Sequence, residues 1–98
     1  MRLTTAEVTA IKQTAAEVFG PAVTVRLFGS RLDDARRGGD IDLFLEVEPA
    51  QANFRNECLF RHRLEDRIGE QKIDVVLHPQ GRPPSPIAEI ARDMGMTL

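Results

Sequence analysis

Cysteine occurs once in these 98 residues and histidine twice. The single Cys58 cannot close an internal disulfide, and neither His62 nor His78 stands at the spacing from another His or a Cys that zinc coordination needs. No apolar run is long enough to cross a bilayer, and the N-terminal residues lack a basic stretch followed by an apolar one. The expectation is a cytoplasmic protein with no membrane segment and no disulfide framework. Positive charge is not in excess either. The formal net charge is -2 and the pI is near 5.6, whereas a broad nucleic-acid surface needs a clustered positive face. Extensive nucleic-acid binding is therefore not expected, and only a local basic patch stays open. There is no internal repeat, low-complexity tract or linker.

What is present is an ordinary globular composition, 42% hydrophobic and 29% charged. A chain of 98 residues has room for one domain, residues 1–98, around one modest core. From Thr4 to Phe19, Val8, Ile11, Ala15 and Val18 recur at helical spacing. Thr4 and Glu7 make a capping-box pair, Leu3 and Val8 a staple, and Gly20-Pro21 a stop. Ala22 to Phe28 alternates as a strand, with Val23, Val25 and Leu27 on one face and Thr24, Arg26 and Phe28 on the other. A second strand runs from about Asp40 to Val47, with Ile41, Leu43, Leu45 and Val47 opposite Asp40, Asp42, Phe44 and Glu46.

Gln51 to Ile68 reads as a long helix with Phe54, Cys58, Leu59, Phe60, Leu64 and Ile68 as its apolar contacts. Its charges read as a solvated face, with Glu57–Arg61 and Arg61–Glu65 able to pair. Cys58 then reads as a small core or half-buried residue rather than a nucleophile. Gly69 stops this helix, and Lys72 to His78 forms a third strand. Pro79 to Pro86 reads as a surface loop, followed by a short helix capped by Ser85, striped by Ile87, Ile90, Ala91 and Met94, and stopped by Gly95. This order predicts an α+β (α/β-like) fold: a small mixed sheet of three strands or slightly more, with helices packed on it.

The chemistry concentrates between Val25 and Val47. Gly29 permits close backbone approach to a ligand and Ser30 adds a hydroxyl, so the turn after the first strand can bind phosphate through its N–H groups. Alone, this dipeptide is an ordinary turn with a capping serine. Asp40 and Asp42 give it meaning. Aspartate is a poor strand former, and two of them at the head of an apolar strand share a face about 7 Å apart. Asp74 is a third acid, set between Ile73 and Val75. Carboxylates gathered without a counterion repel, and at least one holds its proton near neutrality. A divalent cation removes that cost, and oxygen-only ligation suits magnesium or manganese. Asp33, Asp34, Arg36 and Arg37 form a charged loop whose arginines either meet a triphosphate or a partner, or stay solvated. His62 and His78 read as surface or loop-edge residues, and no Ser-His-Asp arrangement can be argued.

Phe28-Gly29-Ser30-Arg31, then Asp40-Ile41-Asp42 after nine residues counted from the serine, and a later strand acid at Asp74, resemble the minimal nucleotidyltransferases (MNT) of the DNA polymerase beta superfamily. The likeness is greatest to the stand-alone MNT antitoxins paired with HEPN toxins, and it spans essentially the whole chain, down to the C-terminal Gly95-Met96-Thr97-Leu98. The resemblance implies a nucleotidyltransferase fold. Gly29 and Ser30, with Arg31, would bind the nucleotide. Asp40, Asp42 and Asp74 would be catalytic and ligate magnesium or manganese, and Asp74 would also help activate the attacking hydroxyl. It further implies transfer of AMP from ATP to a tyrosine of a HEPN-type toxin, within a hetero-oligomer. No acceptor-gripping domain accompanies the motif, so the acceptor is expected to be a separate protein. The alternative is a non-catalytic antitoxin that neutralises its partner by covering it. Transfer to a small molecule or an RNA end fits the size and acidity less well.

Overall fold

Helix α1 (Thr5–Phe19) starts where its cap was expected. The Thr4 hydroxyl accepts from the Glu7 N–H at 3.1 Å, and the Glu7 carboxylate accepts from the Thr4 N–H at 3.0 Å. It ends at Gly20, whose φ of 94° is a conformation that side-chain-bearing residues rarely adopt. The structure is a computed structural model in which residues 3–28, 41–83, 86, 89 and 95–98 are described. Strands β1 (Thr24–Phe28), β2 (Ile41–Val47), β3 (Ile73–Pro79) and β4 (Met96–Thr97) form one sheet, ordered β3-β2-β1-β4. β1 runs antiparallel to both β2 and β4, and β2 is parallel to β3. Helix α2 (Phe54–Ile68) is the connection between the parallel strands. The fold is α+β, with two described helices on a four-stranded mixed sheet.

One sheet face is apolar because its strands alternate with period two. Val25 and Leu27 of β1, Ile41, Leu43, Leu45 and Val47 of β2, and Ile73 of β3 are buried there. Against them pack Ile11, Ala15 and Phe19 of α1 and Phe60 and Leu64 of α2, with the Phe19 and Phe60 rings 5.7 Å apart. Several α2 charges expected to lie in solvent instead clamp it to α1. Arg67 donates to both Glu17 carboxylate oxygens at 2.8 Å and to the buried Thr14 hydroxyl at 2.8 Å, and Arg63 lies 3.7 Å from Glu17. The expected Glu57–Arg61 pair forms at 3.6 Å, and Arg61 also donates to the Ile73 carbonyl at 3.1 Å, tying α2 to β3.

Other expectations need correction. α2 starts at Phe54 rather than Gln51, because Pro49–Gln51 makes a short 3-10 turn and the Asn53 side chain caps the helix by accepting from the Asn56 N–H at 2.9 Å. In this phase Cys58 lies about 160° and Phe54 about 120° round the axis from Phe60. Both are exposed, Phe54 to 75%, so neither belongs to the core. β3 continues to Pro79, which places His78 inside the strand and buried rather than at a loop edge. Met96–Thr97 is a strand beside β1, which the alternation pattern was too short to reveal. Of the expected C-terminal helix only Pro86 and Glu89 are described, both helical and exposed. Ser85, Ile87, Ile90, Ala91 and Met94 lie outside the described residues.

Leu64→Ala, which empties a fully buried α2 position, should lower unfolding free energy by about 2–5 kcal/mol in urea titration. Phe54→Ala should change it by about 0.5 kcal/mol or less. Equal losses would contradict this phase of the helix.

Candidate functional site

The face of the sheet opposite α1 and α2 has its own order, set by strand register. Phe28 of β1, Asp42 of β2 and Asp74 of β3 occupy one row across the sheet. Arg26, Phe44 and Val76 form the next row, and Thr24, Glu46 and His78 the one after. Adjacent strands lie about 4.8 Å apart, so Asp42 and Asp74 stand side by side with their side chains on the same face. Asp42 is half-buried and Asp74 exposed. The parallel pairing is held at this end by the Ile41 N–H, which donates to the Lys72 carbonyl at 3.0 Å.

β1 and β2 are antiparallel, so the chain leaves β1 at Phe28 and enters β2 at Ile41 at the same end of the strands as the two acids. Gly29 directly follows Phe28 in the chain, and Asp40 directly precedes Ile41. Gly29, Ser30, Arg31 and Asp40, with Asp33, Asp34, Arg36 and Arg37, lie outside the described residues. Of the expected site, the described structure therefore brings together Asp42 and Asp74. Among the described residues no group of three or more His, Cys, Asp or Glu side chains is gathered.

Below the acids the face is apolar and then polar. Phe44 is fully buried, with Phe28 and Val76 packed against it and the His78 ring stacked at 5.8 Å. The His78 Nε2 lies 3.2 Å from the Arg82 carbonyl. Arg26 bridges the far rows: its Nε is 3.4 Å from the Glu46 carboxylate, and its Nη1 donates to the Thr97 hydroxyl at 3.1 Å. Strand parity in the sequence already put Arg26, Asp42, Phe44 and Glu46 on outward positions. Register was needed to join them into one surface, and β4 was needed to supply Thr97.

Chemically, like charges directly opposite on neighbouring strands disfavour the pairing, and a divalent cation between two carboxylates reverses the sign of that term. Two aspartates, with oxygen donors only, fit magnesium or manganese. No family model matches the chain, and no curated protein matches it.

If the row binds a cation, magnesium with ATP should raise the melting temperature, since a ligand of the native state stabilises by mass action. Asp74→Asn, at an exposed position, should fold normally and lose most of that increment. An equal increment in both proteins would exclude Asp74 as a ligand.

Proposed function

We propose that this chain is a metal-dependent nucleotidyltransferase that transfers a nucleoside monophosphate, AMP from ATP, to a hydroxyl of a partner protein. The observation that carries the reading is the row Phe28–Asp42–Asp74. It sets two carboxylates beside the strand end that continues into Gly29-Ser30, the phosphate-binding turn expected from the sequence. Asp40, one residue before β2, supplies the third carboxylate of the motif. The resemblance to MNT proteins paired with HEPN toxins supplies the acceptor class, and with it an antitoxin role.

In this reading Gly29 and Ser30, with Arg31, would hold the triphosphate, while Asp40, Asp42 and Asp74 would present oxygens to magnesium or manganese. The bound cations supply charge neutralisation at the attacking and leaving oxygens. Asp74, which the strand register sets beside Asp42, would also accept the proton of the attacking hydroxyl. That oxygen attacks the α-phosphorus in line, the bond from the α-phosphorus to the oxygen bridging it to the β-phosphorus breaks, and pyrophosphate leaves with the electron pair. The protein's contribution is position and electrostatics.

Incubation of the chain with its partner, ATP and magnesium should add the mass of AMP to the partner, read by intact-protein mass spectrometry. Asp42→Asn should cut the rate by at least about 100-fold, the scale of losing a preorganised transition-state contact. An unmodified partner in a folded complex would remove the enzymatic reading. If Asp42→Asn still neutralises the partner in cells, covering alone suffices.

A further inference from the structure

The Asp74 carboxylate takes its place from the backbone. Asp74 is exposed, and among the described residues no hydrogen bond or ion pair reaches its side chain. β3 stands at one margin of the described sheet, so β2 pairs with it from one side. In that parallel ladder the Ile41 N–H donates to the Lys72 carbonyl at 3.0 Å, and the same register brings the Asp74 N–H to the Ile41 carbonyl. Asp74 thus turns its backbone groups toward β2. Ile73, one residue earlier, turns its own groups to the margin, and there the Arg61 Nε donates to the Ile73 carbonyl at 3.1 Å. That carbonyl and the Asp74 N–H belong to one planar peptide unit. The unit is held at both ends, by β2 at its N–H and by α2 at its C=O. Glu57, one turn earlier on α2, lies 3.6 Å from the Arg61 Nη2, and both side chains are half-buried.

We propose that Arg61 is the positioning residue for Asp74: by fixing the peptide unit that leads into it, Arg61 sets this carboxylate beside Asp42 for a shared cation. The inference rests on the cation reading of the row and deepens it. Burial of Ile73 decides which face of β3 turns inward. The marginal hydrogen bond adds something different, because without it the peptide can rock about the strand axis and carry an otherwise unheld carboxylate with it. Arg61 works from the opposite face, since α2 packs on the core side of the sheet and the acids project from the other. Its effect passes through the backbone alone.

Manganese affinity, from paramagnetic broadening of the Asp42 and Asp74 amide signals in the full 15N-labelled chain, is compared in wild type, Arg61→Leu, Arg61→Lys and Arg67→Leu. The last is the structural control, because it breaks the clamp from α2 to Glu17 and Thr14 and leaves β3 untouched. Arg61→Leu should weaken manganese binding about 10-fold, the lower end of the cost of losing a group that orients a metal ligand. Arg61→Lys, which keeps a donor, should recover most of that loss. Arg67→Leu should lower the melting temperature yet bind manganese as wild type does. In the metal-free chain, exchange of the Asp74 amide hydrogen should quicken relative to that of Val76 in Arg61→Leu and not in Arg67→Leu. Equal manganese affinity in wild type and Arg61→Leu, equal losses in Arg61→Leu and Arg67→Leu, or an unchanged exchange ratio would overturn the role of Arg61 and leave the cation reading standing. No broadening at either acid in wild type would overturn the cation reading and this inference with it.

Discussion

The parallel pairing of β2 with β3, in the register that sets Ile41 beside Ile73, is the constraint on which the candidate site depends. The same register sets Asp42 beside Asp74. A one-residue slip would turn the apolar row of β3 out of the core and Asp74 into it. The core therefore enforces the position of the acids. Ile41, Leu43, Leu45, Val47 and Ile73 are at most 3% exposed, and their burial holds two like charges side by side on the other face.

Parallel neighbours need a crossover, and α2 provides it while sealing the core with Phe60 and Leu64. Its polar contacts fix its place from both sides: Arg67 grips Glu17 and Thr14 of α1, and Arg61 grips the β3 backbone at Ile73. The layers thus divide the labour. Both described helices occupy one face, and the other carries the acids, the Phe44 cluster and the Arg26–Glu46–Thr97 bridge. Conserving the first layer while varying the second is what lets a small fold carry a site.

Much of this was legible in the residues. The Thr4–Glu7 capping box, the Gly20 and Gly69 stops and the alternation of β1, β2 and β3 placed those elements within a few residues, because each rests on a local rule. Misreadings arose where a local signal met a tertiary one. Phe54 and Cys58 look apolar at plausible helical positions, yet they lie about 120° and 160° round the axis from Phe60, so packing Phe60 and Leu64 into the core turns them outward. His78 looked like a strand end, yet a longer β3 and the Phe44 ring bury it. β4 has only two residues, too few for periodicity, and exists because β1 offers it an edge. In the site, parity alone placed Asp42 and Asp74 on outward positions, but only the register between distant segments makes them neighbours.

Manganese, which relaxes nearby nuclear spins, tests the central claim most directly. Titrated into the 15N-labelled chain at substoichiometric amounts, it should broaden the amide signals of Asp42, Asp74 and Phe28 first and leave those of Cys58, His62 and Lys12 sharp. Broadening centred elsewhere, or uniform loss across the exposed acids, would contradict a cation site on the Asp42–Asp74 row.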